Sequence, residues 1–241
     1  FAGNDTINGR GGFDRADYNV DPATTSGINV QLAAGIVTGD ASIGTDTLLS
    51  VEAVRGTNFA DNYDATGFSG ASANAGSNGT FNEFTGNGGN DTIIGNGNTR
   101  LNFNNATAGV TVDLAAGTAD GDASVGHDTF TGVNAIQASA FNDTLLGGAN
   151  NETFAGLGGD DYIDGRNGFD TVTYNNIYFA TGGITVHFAD GIVTGDASVG
   201  TDTLRSIEAI QGTGFADTFD ATGYGSAGAQ NVGNNGNYNQ F

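Results

Sequence analysis

Residues Ala138 to Thr173 read ASAFNDTLL, GGANNETFA, GLGGDDYID and GRNGFDTVT, four nonapeptides in phase. The sixth place is acidic in all four (Asp143, Glu152, Asp161, Asp170), and the eighth is apolar in all four (Leu145, Phe154, Ile163, Val172). Matching copies run from Gly9 to Asp17 (GRGGFDRAD) and from Gly86 to Ile94 (GNGGNDTII). Looser copies, GTNFADNYD from Gly56 and GTGFADTFD from Gly212, carry Phe at the fourth place. A single Gly-x-x-Gly-x-Asp reads equally well as a metal-free Asx turn. Four in phase favour a hard cation, because carbonyl and carboxylate oxygens form the all-oxygen shell that calcium prefers.

A longer period lies over the nonapeptides. TGDASIGTDT (38–47), DGDASVGHDT (120–129) and TGDASVGTDT (194–203) are three copies of one turn, and the first and third are 156 residues apart. Ile36 to Ser42 recurs at Ile192 to Ser198, and FADNYDATG (59–67) returns as FADTFDATG (215–223). The chain therefore divides into a module A (1–84), a module B (85–153) and a second module A (154–241). Phe1 and Phe241 both fall at the apolar eighth place. With no Met at position 1, the segment reads as part of a longer repetitive chain.

Composition excludes several classes. The 42 glycines among 241 residues are about 17%, against a usual share near 7%, yet no every-third-residue rhythm makes the chain a collagen. At 37% hydrophobic and 10% aromatic residues, it is too apolar for a linker or a disordered acidic tail. The net charge of -21 comes from 23 Asp and 4 Glu against 6 Arg and no Lys, which repels nucleic acid and anionic membranes. The absence of cysteine rules out disulfides and zinc-thiolate sites. No apolar stretch is long enough to insert as a membrane helix.

The nonapeptide matches the pattern G-G-x-G-x-D-x-U-x, and through it the chain resembles the RTX, or haemolysin-type, calcium-binding family. That resemblance implies an all-β fold, a right-handed parallel β-roll or β-solenoid with Gly-Asp-rich turns. Each nonapeptide would give a six-residue calcium turn and a short strand, on alternate sides of a flattened coil. Glycines at the first and fourth places would take positive φ in the turn, and the eighth residue would face inward. Same-side neighbours are then 18 residues apart, so Asp143 faces Asp161 and Glu152 faces Asp170. The calcium ligands expected are Asp5, Asp14, Asp91, Asp143, Glu152, Asp161 and Asp170. Asn82 and Arg100 hold the sixth place in the copies flanking Asp91, and a guanidinium cannot bind a cation, so Asp91 is the least supported of the seven.

Outside the nonapeptides, GINVQL (27–32), GVTVDL (109–114) and GITVHF (183–188) alternate apolar and polar residues, as half-buried strands do. After each GDAS turn comes a three-residue apolar spacing: Leu48, Val51, Val54; Phe130, Val133, Ile136; Leu204, Ile207, Ile210. β-branching and nearby glycines favour a strand broken by a corner over a helix. The paired Asp residues of GDASxGxD (Asp40 and Asp46, Asp122 and Asp128, Asp196 and Asp202) fit turn caps better than metal ligands. His127 and His187 read as surface residues, and no nucleophile, phosphate or zinc motif occurs, so no enzymatic role is expected.

Duplication favours length as the function. The expectation is a calcium-stabilised extracellular structural solenoid of a large bacterial surface protein, such as a fibre, adhesin stalk or surface layer, exported by type I secretion as the resemblance implies. The alternatives are the C-terminal RTX secretion and folding module of a secreted enzyme, or a carbohydrate- or ice-binding solenoid. The partners expected are calcium ions, further repeats or identical subunits end to end, and surface carbohydrate.

Overall fold

A computed structural model describes residues 2–175, 180–233 and 238–241. The described residues form 23 short strands and no helix. In chain order these are β1 (Thr6–Asn8), β2 (Arg15–Asp17), β3 (Asn29–Gln31), β4 (Ile36–Thr38), β5 (Thr45–Leu49), β6 (Ala53–Arg55), β7 (Asn62–Asp64) and β8 (Asn82–Thr85). There follow β9 (Thr92–Ile94), β10 (Thr99–Asn102), β11 (Thr111–Asp113), β12 (Thr118–Asp120), β13 (His127–Thr131), β14 (Ala135–Gln137), β15 (Thr144–Leu146) and β16 (Thr153–Ala155). The last are β17 (Tyr162–Asp164), β18 (Thr171–Thr173), β19 (Thr185–His187), β20 (Ile192–Thr194), β21 (Thr201–Arg205), β22 (Ala209–Gln211) and β23 (Thr218–Asp220).

The chain forms two compact units, residues 1–103 with 118–135, and 104–117 with 136–241. Unit 1 has one sheet in the order β1-β5-β4-β3-β7-β9-β13-β12 and another in the order β2-β6-β8-β10. Unit 2 repeats the plan as β11-β15-β17-β21-β20-β19-β23 and β14-β16-β18-β22. Outside the runs β3–β5, β11–β13 and β19–β21, which stay in one sheet, the chain crosses from one sheet to the other after each strand, and the returning strands pair in parallel, as Leu145 with Ile163 and Phe154 with Val172 show. This is an all-β parallel β-roll.

Period two explains the packing. A three-residue strand points its middle side chain inward, and Val30, Tyr63, Leu145, Phe154, Ile163 and Val172 at such places are fully buried, as is Leu48 of the five-residue β5. Side chains from opposite sheets meet there: Tyr63 of β7 stacks on Phe84 of β8 at 4.6 Å between ring centroids. Each such side chain contributes roughly 1.5–3 kcal/mol, so the core is a thin file of single residues. Phe241 also reaches this file, against Phe188 and Phe219 at 5.4 and 4.8 Å, but is half exposed. Phe1 lies outside the described residues.

The roll is not wholly parallel. β4, β12 and β20 run antiparallel to their neighbours β5, β13 and β21. The reason is local: the GDASxG turn reverses the chain within a few residues, which only an antiparallel pair allows. The following segment is a broken strand as expected, with β5 and β6, and β21 and β22, parted at corners where Ser50 and Ser206 take φ of 53° and 51°.

Candidate calcium-binding turns

The sixth-place acids stack at the edges of the sheets. Their backbone N–H groups donate to a carboxylate oxygen of the acid on the next coil. Asp143 N–H donates to Asp161 Oδ1 at 2.8 Å, and Asp161 N–H to Asp202 Oδ1 at 3.0 Å. In unit 1, Asp61 N–H donates to Asp91 Oδ1 and Asp91 N–H to Asp128 Oδ1, at 2.8 and 2.9 Å. Asp5 N–H reaches Asp46 Oδ1 at 2.8 Å, although Asp5 itself is exposed. Beside the smaller sheets, Asp14 N–H donates to Glu52, Glu152 N–H to Asp170, and Asp170 N–H to Glu208, at 3.0, 2.8 and 2.8 Å.

The two facing pairs expected from 18-residue spacing, Asp143 with Asp161 and Glu152 with Asp170, are thus adjacent. Their carboxylates do not converge on one point, however. Among the described residues no three acidic or histidine side chains gather around a common centre. Stacking gives each turn one carboxylate, half of it already engaged, so any ion there must take its other ligands from turn carbonyls.

Several rungs went unread in the sequence. Asp46, Asp128 and Asp202, the second acids of GDASxGxD, are buried rungs, whereas Asp40, Asp122 and Asp196 are exposed caps, each accepting the N–H of the serine two residues on. Glu52 and Glu208 are buried rungs in VEAV and IEAI. The available signal was spacing: Asp14 to Glu52 and Asp170 to Glu208 are both 38 residues, and Asp5 to Asp46 and Asp161 to Asp202 both 41. Asp61 and Asp217 are rungs as well, in copies whose fourth place is Phe, as it also is before Asp143.

Asn82 and Arg100 do not flank Asp91 in space, since β8 and β10 belong to one sheet and β9 to the other. Arg100 instead pairs with buried Glu83, and Tyr63 O–H donates to Asn82 Oδ1 at 3.1 Å. Asp91 is therefore a rung on the same terms as Asp161, with an unpartnered buried Oδ2.

Glycine serves the turn differently from the expectation. At the fourth place Gly12, Gly89, Gly159 and Gly168 do take φ of 125°, 124°, 110° and 137°. First-place glycines do not; there the rung acid occupies the space of a Cβ, Asp91 Oδ2 beside Gly86 and Asp161 Oδ2 beside Gly156. The second left-handed residue is the second one, where Arg10, Asn87, Leu157 and Arg166 adopt φ of 60–74°.

Four carboxylate oxygens, Oδ2 of Asp14, Asp91, Asp161 and Asp170, are buried with no hydrogen-bond partner among the described residues. An unsatisfied buried carboxylate oxygen is costly, and a hard cation is the group that fits it. The cost is visible in the protonation equilibria. Burial, then the charge of Asp128, pushes Asp91 up to about 9; burial, then Asp202, pushes Asp161 up to about 9. Burial raises Asp128 and Asp202 to about 7, and Asp61 and Asp143 to about 6.

Each of these carboxyls holds its proton more tightly folded than unfolded, so between about pH 4 and 9 the folded state carries the excess protons. Rising pH then removes stability, at ~1.4 kcal/mol for each pKa unit. Without metal, the melting temperature should be highest near pH 4 and fall steadily to pH 9. A melting temperature that climbs from pH 5 to 8 in chelator would contradict the buried ladder.

Comparison with known proteins agrees with this geometry. Residues 1–16, 77–99, 128–163 and 137–172 match the RTX calcium-binding nonapeptide repeat in four copies. No curated protein matches the chain. With these turns matched in sequence and its strands coiled into a parallel β-roll, the chain carries RTX calcium-binding nonapeptide repeats, and calcium is the ion that such repeats bind.

Proposed function

We propose that the chain is a calcium-stabilised structural solenoid of a large, repetitive bacterial surface protein, lying outside the cell and serving as a spacer in a fibre, adhesin stalk or surface layer. The observation that carries this reading is the set of four buried, unpartnered carboxylate oxygens, which leaves the fold incomplete without cations. Asp14, Asp91, Asp161 and Asp170 would hold calcium together with turn carbonyls. The ion would neutralise charge and tie each turn shut.

The setting follows from that chemistry. At a net charge of -21 the metal-free chain repels itself, which suits export in an unfolded state, as in type I secretion, and folding in millimolar calcium outside. The same rung construction recurs in the two A modules, with Tyr18 O–H donating to Asp46 and Tyr174 O–H to Asp202. Such units extend by addition, which favours a mechanical role over a catalytic one. His127 and His187 are both exposed.

Antibodies raised to the segment should label intact, unpermeabilised cells, and protease added outside should remove the label once calcium is chelated. Labelling that appears only after permeabilisation would reject an extracellular role.

A further inference from the structure

The rungs fall into two chemical kinds. In three turns a hydroxyl residue four places before the acid satisfies it from within the same coil. Thr57 N–H and Oγ1–H donate to Asp61 Oδ2 and Oδ1 at 2.8 and 2.9 Å. Ser139 does the same to Asp143 at 2.9 and 2.7 Å, and Thr213 to Asp217 at 2.9 and 2.8 Å. A backbone N–H from a neighbouring strand, of Ile28, Val110 and Ile184 respectively, adds a further bond to each Oδ1. Elsewhere tyrosine is the cap, at 3.0 Å from Tyr18 to Asp46 Oδ2 and 2.7 Å from Tyr174 to Asp202 Oδ2. Glu152 is capped by the N–H groups of Gly148 and Asn150 at 3.2 and 3.1 Å.

The unpartnered oxygens belong to the other kind. Asp14, Asp91, Asp161 and Asp170 all close Gly-x-x-Gly-x-Asp turns, and Asp91, Asp161 and Asp170 are at most 2% exposed. The fourth residue separates the kinds. Gly12, Gly89, Gly159 and Gly168 adopt positive φ, whereas Phe59, Phe141 and Phe215 at the same place do not. A phenylalanine turn therefore has a different path, and its hydroxyl partner fills the hydrogen-bonding capacity that an ion would otherwise take.

We propose that calcium enters only the four Gly-x-x-Gly-x-Asp turns, through Asp14, Asp91, Asp161 and Asp170, and that the Ser/Thr-x-Phe-x-Asp turns and the tyrosine-capped rungs are built-in, calcium-independent clamps. In those clamps the chain's own hydroxyls and amides do the work of the ion. An acid that already accepts three hydrogen bonds gains little from a cation, because binding would break bonds of comparable strength. The roll is thus gated by calcium at some turns and permanently fastened at others. This rests on the reading of calcium as the ion held by the unpartnered acids.

The test counts calcium bound to the 241-residue chain by native mass spectrometry and calorimetry at saturating calcium. Four ions are expected for the unaltered chain. Asp161→Asn and Asp170→Asn should each lose one or weaken one site at least tenfold, while Asp143→Asn keeps all four. In Ala138→Gly/Ser139→Gly/Phe141→Gly the turn becomes Gly-x-x-Gly-x-Asp with its hydroxyl cap removed, and a fifth ion should bind. Far-ultraviolet circular dichroism in calcium verifies that each variant is folded. If Asp143→Asn loses an ion as Asp161→Asn does, or if the loss falls on Asp143→Asn alone, the division into two kinds is wrong. An unaltered chain that binds no calcium would overturn the underlying calcium reading instead.

Discussion

Adding 10 mM calcium to the metal-free chain at pH 8 should raise its melting temperature by about 20 °C. Extracellular calcium modules bind with dissociation constants of roughly 10⁻⁴–10⁻³ M, so at this concentration each site adds about 1.4–2.7 kcal/mol. Four such sites supply on the order of 6–11 kcal/mol, and a domain of this size gains roughly 2–4 °C per kcal/mol. The pH enlarges the effect relative to acidic solution, since calcium must displace the protons that Asp91, Asp161 and Asp170 hold up to about pH 9, 9 and 8, and displacing them costs less as the pH rises. Thermal melts followed by circular dichroism, with magnesium as the control ion, measure this directly. A shift of under 5 °C, or an equal one with magnesium, would remove calcium from the account of stability.

Gly156→Ala should lower the melting temperature in calcium by about 10 °C and delete one bound ion. Gly156 is buried, and a Cβ there would collide with Asp161 Oδ2 and lie 2.9 Å from Asp161 Cγ. The methyl group cannot be accommodated by a backbone change alone, because Asp161 is held from both sides: its N–H donates to Asp202 and its Oδ1 accepts from Asp143. Overpacking of this kind costs typically 1–3 kcal/mol, here joined by loss of the ligand oxygen. Gly214→Ala is the matched control. Gly214 is exposed, and a Cβ there meets nothing within 4 Å, so its effect should stay within about 0.5 kcal/mol. Equal melting temperatures for the two variants would show that the cradle beside the first-place glycine is not what holds the acid.

Much of this molecule is written in short-range pattern. The nine-residue phase of Asp143, Glu152, Asp161 and Asp170 with Leu145, Phe154, Ile163 and Val172 was enough to reach an all-β roll, the inward eighth residue and the pairing of acids 18 residues apart. A coil of two short strands and two turns closes on itself locally, so period and register follow from neighbouring residues. The corner between Leu48 and Val54 was legible for the same reason.

The partners that other coils supply to these carboxylates were not legible, because they lie 18 to 41 residues away. Asp143 and Asp161 occupy the same place in the nonapeptide, yet Ser139 satisfies one and leaves nothing comparable for the other. Glu52 and Glu208 join the ladder only because the long coils return them beside Asp14 and Asp170. Composition and phase could announce acids in turns. Which oxygens are spent on protein donors and which stay open to a cation depends on the closeness of the next coil, a property of the assembled roll.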